Sequence, residues 1–86
     1  MLKIAVCDDN PIQCAQIRDM TVSNLQLPTK ITTFTSAADF LEHISEKKSH
    51  FHIVLMDIDL GTESFSGITI AEKINLLSPD TQIIFI

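Results

Sequence analysis

The sequence predicts an α/β fold in which helices cover a parallel β-sheet, and three observations lead to this prediction. Short runs of consecutive apolar residues recur along the chain, as is typical of strands that are buried on both faces. Between these runs, apolar residues recur with helical spacing. The connections are short, which favours right-handed crossovers between strands that run in the same direction. We therefore expect the order β-α-β-α-β-α-β in a single domain that spans residues 1–86.

The first half of the chain predicts two strands with a helix between them. Leu2–Cys7 is apolar at nearly every position and predicts a buried strand. Asn10 and Pro11 are suited to the N-cap and first position of a helix that Pro28 closes. The threonines in residues 30–34 favour a second strand that is partly exposed. The predicted stripe of the helix consists of Cys14, Ala15, Ile17, Arg18, Thr21, Val22 and Leu25.

The second half of the chain predicts two further helices, each followed by a strand. Ser36 is suited to cap a helix whose apolar face consists of Ala37, Phe40, Leu41 and Ile44. Ile53–Met56 predicts the third strand, and a loop over residues 58–66 follows it. Pro79 stops the third helix, and residues 82–86 predict a fourth buried strand. The inner face of the third helix is expected to contain Gly67, Ile70, Ala71, Ile74 and Leu77.

Composition and charge argue against several classes of function. The net charge is −5, with six basic residues, which argues against a nucleic-acid-binding surface on this segment. The apolar runs are too short to span a bilayer, and the chain opens directly into a strand pattern without a signal peptide. The two cysteines are too few for a disulfide scaffold and do not form a C-x-x-C pair. We expect a cytoplasmic domain that binds neither nucleic acid nor membrane.

Two of the predicted strands stop at acidic residues. Asp8 and Asp9 follow the first strand, and Asp57 follows the third. Taken singly, the first pair is typical of a helix-capping turn, and Asp57 is typical of a solvated strand end. Ligands of open α/β sheets, however, bind beyond the carboxyl ends of the strands, so these acids are expected to converge at one edge. Their joint placement favours a functional site.

Three neighbouring carboxylates predict a magnesium (Mg²⁺) site. The charges repel one another unless a cation offsets the repulsion. Mg²⁺ takes oxygen ligands and keeps positions open for water and for phosphate oxygens. An Asp beside such an ion can attack phosphorus and become an aspartyl phosphate. The residue types therefore suggest Mg²⁺-dependent phosphoryl transfer to an Asp.

With these motifs the sequence strongly resembles the receiver (CheY-like) domain of bacterial two-component response regulators. The matching stretches are residues 4–10, 54–60 and 66–68, which contain both acidic motifs and the Gly that opens the third helix. Ile-Ala-Val-Cys-Asp-Asp together with Asp-Ile-Asp-Leu is most similar to regulators that carry a LytTR-type DNA-binding domain. The resemblance implies a flavodoxin-like, doubly wound sheet with the strand order 2-1-3-4-5.

The resemblance also implies residue roles and partners. Asp57 would be the phosphoacceptor, Asp9 a direct Mg²⁺ ligand, and Asp8 a ligand that acts largely through water. The backbone carbonyl of Asp59 would supply a further oxygen. The phosphodonor would be a sensor histidine kinase, and the output would be a DNA-binding domain of the parent protein that regulates transcription. The domain itself would not be an enzyme.

Some features depart from the family pattern. Gly61 stands near the place where a Pro usually follows the acceptor, and the charge of Asp59 is expected to alter phosphate affinity or phosphoryl lifetime. A full receiver continues with a hydroxyl residue, a fourth helix, a fifth strand with an essential Lys and a fifth helix. We therefore expect a partial receiver domain, truncated after the fourth strand. An apolar edge strand of this kind favours a homodimer or other self-association.

Other interpretations stay open at this point. Residues 57–62 resemble the haloacid-dehalogenase phosphatase motif, in which Asp57 would be the nucleophile and Asp59 would protonate the leaving group. That motif normally follows the first strand of its domain, whereas two β-α units precede it here. A non-phosphorylated pseudo-receiver that serves as an interaction module is a third possibility. His50 and His52 have metal-ligand spacing, but we expect a solvated pair at the sheet edge opposite the acids.

Overall fold

The computed structural model describes residues 1–46, 50–57 and 67–86. The predicted β-α-β-α-β-α-β order is confirmed. The longest of the helices described has 14 residues, and none of them is long and apolar enough to cross a membrane. The elements are β1 (Leu2–Cys7), α1 (Pro11–Asn24), β2 (Thr29–Phe34), α2 (Ala37–Ser45), β3 (Ile53–Met56), α3 (Gly67–Leu77) and β4 (Gln82–Phe85).

The four strands form one parallel sheet in the order β2-β1-β3-β4. The Cα atom of Cys7 is the partner of Phe34 in β2 and of Met56 in β3. These three residues are the last of their strands, so the three strands end at the same level. The backbone N–H of Asp57 continues the pairing by donating to the carbonyl oxygen of Cys7 at 3.0 Å. Whatever follows β1 and β3 is therefore brought to one edge.

The main core lies between the sheet and the helices α2 and α3. Alternate residues of the two central strands face it, and Val54 and Met56 are completely buried there. Phe40 packs edge-on against Phe34, with ring centroids 5.0 Å apart. The buried members of this core are Ala5, Cys7, Ala37, Phe40, Ile44, Phe51, Val54, Met56, Ile70 and Ile74. The predicted inner faces of the second and third helices therefore supply much of the core.

The first helix is shorter than the sequence predicted. Pro28 was expected to close it, but α1 ends at Asn24, and Leu25 already has an extended backbone. The side-chain amide of Asn24 donates to the carbonyl of Met20 at 2.7 Å, and Ser23 donates to a carbonyl one turn earlier at 2.8 Å. Side-chain hydrogen bonds of this kind compete with helix continuation, so the polar pair ends the helix before the proline is reached.

The prediction that the fourth strand is buried is wrong. Ile84, Phe85 and Ile86 are 50, 40 and 50% exposed. α1 packs mainly over β1 and β2, so the face that Ile84 shares with Leu55 is left partly open at β4. Val22 of α1 and Leu77 of α3, which were assigned to inner faces, are exposed as well. The predicted apolar stripes of α1 and α3 are therefore wider than the surfaces that they contact.

We expect the 86-residue chain to self-associate through β4. Its apolar side chains are half exposed at the edge of the described sheet, and such an edge pairs readily with a second copy. Ile84→Lys should lower the association, because a charge at an edge strand opposes pairing. Light scattering at micromolar concentration measures the association state of the wild type and of the variant. Leu76→Lys on α3, where the side chain is 84% exposed, is the control and should leave it unchanged. A monomeric wild-type chain would contradict the prediction.

Candidate functional site

The structure brings together three of the four predicted site residues. One carboxylate oxygen from each of Asp8, Asp9 and Asp57 can be chosen so that all lie within 4.8 Å of one another. Asp8 and Asp57 directly follow the paired strands β1 and β3, so the strand register places them side by side. Asp59 lies outside the described residues, and so does the rest of the stretch over 58–66. The expected convergence of acids at the carboxyl edge is therefore found for the three that are described.

The three carboxylates differ in exposure. Asp8 is buried, with 3% of its surface exposed, whereas Asp9 is exposed and Asp57 is half-buried. Burial raises the pKa of Asp8, the N–H of Asn10 opposes that change, and the charge of Asp57 adds to it. The net pKa of Asp8 lies above its ordinary value. Burial and the neighbouring charge of Asp57 therefore disfavour the ionised form of Asp8. A cation bound beside these acids would offset both effects.

Hydrogen bonds tie the backbone of Asp8 to the neighbouring elements. Its N–H donates to the carbonyl of Phe34 at the end of β2, at 3.1 Å. Its own carbonyl oxygen accepts a hydrogen bond from the thiol of Cys14, with Sγ 3.3 Å away. Burial raises the pKa of both Cys14 and Cys7, so neither thiol is a nucleophile at neutral pH. Both cysteines are small buried side chains, and Cys14 helps to hold the turn through its bond to Asp8.

The turn between β1 and α1 orients the Asp8 side chain. The N–H of Asn10 donates to Oδ1 of Asp8 at 2.9 Å. Asn10 is also the N-cap of α1, since its Oδ1 accepts the N–H groups of Ile12 and Gln13 at 2.9 and 3.3 Å. The capping turn and the acidic site are therefore one structure. The capping interpretation is confirmed, and the same turn places Asp8 in the acidic cluster.

Gln13 is a site residue that the sequence analysis missed. Its side-chain nitrogen faces the Asp8 carboxylate, 2.9 Å from Oδ2 and 3.3 Å from Oδ1. The amide is oriented this way because the opposite orientation would set its oxygen against the carboxylate oxygens. The signal was the spacing Asn10-x-x-Gln13, which is a capping-box pattern. In this fold the Gln side chain reaches the acid instead of the cap.

An open cavity of about 570 Å³ leads to the acids. Its lining is acidic where the strands end and amide-rich or apolar along α1, where it includes Gln13, Gln16 and Met20. This size is typical of small-molecule sites. The lining residues are Asp8, Asp9, Gln13, Gln16, Ile17, Met20, Asp57 and Ile86.

The histidine pair lies at the other end of the sheet, as predicted. His52 directly precedes β3, and its Nδ1 accepts the backbone N–H of Lys3 at 2.9 Å. His50 Nδ1 lies 3.4 Å from the hydroxyl oxygen of Ser78. Both rings are exposed and take part in hydrogen bonds between elements. Among the described residues, the only cluster of three or more possible metal ligands is the acidic one.

Comparison with known protein families identifies the chain. Residues 4–86 match the family described as the response regulator receiver domain. The chain belongs to this family. Receiver domains are signalling modules, and they have the flavodoxin-like α/β fold found here. A comparison with curated proteins found no match.

Solved structures similar to this receiver domain show the same fold. The MaeR response regulator bound to beryllium trifluoride has a TM-score of 0.82 and 21% identity, covering 100% of this chain and 66% of that one. A response regulator receiver domain protein from Clostridium thermocellum has a TM-score of 0.78 and 21% identity, covering 99% and 64%. RcsB from Salmonella enterica serovar Typhimurium, bound to promoter rprA with BeF3-, has a TM-score of 0.79 and 20% identity, covering 99% and 42%. The receiver segment thus spans less than two thirds of the length of these relatives.

We expect Asp8→Asn to stabilise the metal-free receiver domain. The amide keeps the acceptor for the N–H of Asn10 and removes one of three charges that lie within 4.8 Å. Unit charges about this far apart repel by about 1 kcal/mol even in a water-like medium, and such a gain raises the Tm of a small domain by several degrees. Thermal unfolding with a chelator at neutral pH measures the change. Asp19→Asn, at an exposed acid of α1 outside the cluster, is the control and should not give this gain.

The pH dependence of this difference follows from the raised pKa of Asp8. Between its ordinary pKa and the raised one, the folded chain binds more protons than the unfolded chain, so the contribution of Asp8 to stability falls as the pH rises. The stabilising effect of Asp8→Asn should therefore grow from about pH 3 to about pH 7. An effect that is constant over this range, or a lower Tm for the variant, would contradict the assignment of Asp8 as a repelled, buried acid.

Proposed function

We propose that this chain is the phosphoacceptor receiver domain of a two-component response regulator. It would take a phosphoryl group from a sensor histidine kinase onto Asp57 in a phosphorelay signalling pathway. The observation that carries the proposal is the convergence of Asp8, Asp9 and Asp57 within 4.8 Å, at the carboxyl edge of a member of the receiver family. The open cavity beside them supports it, because a phosphodonor can approach from the side of α1.

The donor set fits Mg²⁺. The cluster offers carboxylate oxygens, which are the ligands that this ion prefers. Asp9 is exposed and is proposed as a direct ligand, and the carbonyl of Asp59 is proposed as another by resemblance. The oxygens of Asp8 already accept hydrogen bonds from Asn10 and Gln13, which supports a contact through water. When bound, Mg²⁺ would neutralise the acids and the charge of the phosphoryl oxygens.

The proposed transfer uses Asp57 as the nucleophile. A carboxylate oxygen of Asp57 attacks the phosphorus of the donor phosphohistidine, so that an O–P bond forms and the N–P bond breaks. The electron pair of the broken bond stays on the imidazole nitrogen of the donor, and the product is an aspartyl phosphate. Asp57 is half-buried, and its backbone N–H is anchored to Cys7, which holds the nucleophile at the mouth of the cavity. The chain itself contributes position and charge, which suits a loose phosphoryl-transfer step.

We infer a response regulator of the LytTR group, in which this partial receiver domain controls a DNA-binding output domain and thus transcription in the cytoplasm. The support is the motif resemblance, together with the fact that the segment covers only 42–66% of the related chains. RcsB, one of those relatives, was solved bound to a promoter. In this proposal, the hydroxyl and Lys that sense the phosphoryl group belong to the remaining part of the receiver.

The rival functions predict different behaviour of Asp59 and Asp57. The family match over residues 4–86 favours a receiver over a haloacid-dehalogenase-like phosphatase. In a phosphatase, Asp59→Asn would abolish turnover of the phosphoenzyme, whereas a receiver would still accept the phosphoryl group. A pseudo-receiver would not be labelled at Asp57, either as the wild type or as Asp59→Asn. Adding Asp59→Asn to the following experiment therefore separates all three.

Incubation of the natural protein with Mg²⁺ and a phosphodonor should label Asp57 alone. Both the cognate kinase and acetyl phosphate are suitable donors, and the product should be an acid-stable, base-labile acyl phosphate. Asp57→Asn should abolish the label and keep the fold, because the amide preserves the shape and removes the nucleophile. Asp39→Asn, at an exposed acid of α2, is the control and should be labelled like the wild type. A label that persists in Asp57→Asn would refute the assignment.

A further inference from the structure

The side chain of Gln13 is directed at the least accessible acid of the site. Its nitrogen lies 2.9 Å from Oδ2 and 3.3 Å from Oδ1 of Asp8, which is 3% exposed. Gln13 occupies the third position of α1, one turn from the cap. The contact therefore joins the first turn of a helix to a carboxylate at the end of a strand. No charged side chain is needed to make it.

The local hydrogen-bond pattern explains why Gln13 turns toward Asp8. In an ordinary capping box, a Gln at this position accepts the backbone N–H of the N-cap residue. Here the N–H of Asn10 is already taken by Oδ1 of Asp8 at 2.9 Å. The Gln13 amide is thereby released from the capping role and donates to the same carboxylate. The N-cap and the first turn of α1 thus supply Asp8 with a backbone donor and a side-chain donor.

We propose that Gln13 is a positioning residue of the metal site, and this inference rests on the proposed function. By donating to Asp8, its amide fixes the rotation of the carboxylate and leaves the remaining lone pairs aimed at the cation or its water. Partners of this kind orient metal-binding groups and commonly change metal affinity when they are removed. Because the amide is neutral, it holds the acid without occupying the place of the cation. A Lys in the same position would compete with the metal.

The test is the affinity for Mg²⁺ itself, measured on the natural protein by following the amide NMR signals of Asp9 and Asp57 as MgCl2 is added. Gln13→Met keeps the length of the side chain and removes the donor. We expect its Kd for Mg²⁺ to rise about tenfold. Gln16→Met is the matched control, because Gln16 lies on the same helix and lines the same cavity. Its Kd should stay within about twofold of the wild type, which is the scatter expected of a neutral surface change.

A double-variant comparison shows whether Gln13 acts through Asp8. In an Asp8→Asn background, Gln13→Met should cause no further loss of Mg²⁺ affinity, because the group that it positions is gone. At saturating Mg²⁺, the labelling rate of Gln13→Met at Asp57 should approach that of the wild type. A merely structural defect would lower the rate at every Mg²⁺ concentration. Gln13→Ala, which favours the helix, serves as a second variant if Gln13→Met folds poorly.

The outcomes separate this inference from the proposed function. An unchanged Kd in Gln13→Met and Gln13→Ala, with normal labelling of Asp57 in the wild type, would overturn the role of Gln13 alone. An additional loss of affinity in the Asp8→Asn background would also overturn it, since Gln13 would then act by another route. Absence of label on wild-type Asp57, with Mg²⁺ binding weakened by Gln13→Met, would overturn the phosphoacceptor role and leave the positioning role supported. A wild-type chain that does not bind Mg²⁺ would overturn both.

Discussion

The register between β1 and β3 is the constraint on which the site depends. Val54 and Met56 are completely buried, and a shift of one residue would turn both of them to the opposite face of the sheet. The core therefore holds the register, and the register sets Asp57 beside Asp8 through the pairing of Met56 with Cys7. The acids repel one another, so they do not contribute the energy that brings them together. Apolar packing therefore holds together acids that would otherwise move apart.

The N-cap and first turn of α1 orient the buried acid of the site. The side chain of Asn10 caps α1, and the same residue donates its backbone N–H to Asp8. Gln13 adds a neutral donor, so the donors to the buried carboxylate that the described residues supply are dipoles. Dipoles orient an acid but leave its charge in place. The described residues thus fix the geometry of the site, and the proposed Mg²⁺ would balance its charge.

The sequence predicted those parts of the structure that depend on local signals. The order of elements follows from apolar runs and helical spacing, and the position of Asp57 follows from the end of an apolar run. The exposure of β4 could not be predicted in this way, because Ile84 and Phe85 form the same pattern in a buried strand and in an open edge strand. The contact of Gln13 with Asp8 could not be predicted either, because it depends on which acceptor binds the N–H of Asn10.

The differences among the three acids support the division of roles proposed for them. Asp8 is buried and its oxygens already accept donors, so it has the least capacity to enter the inner coordination sphere of an ion. Asp9 is exposed and can approach a cation directly. Asp57 is half-buried beside the cavity, where a nucleophile is reachable by a donor and yet fixed by the strand behind it. The order of burial therefore agrees with the order of roles implied by the family resemblance, although it rests on different observations.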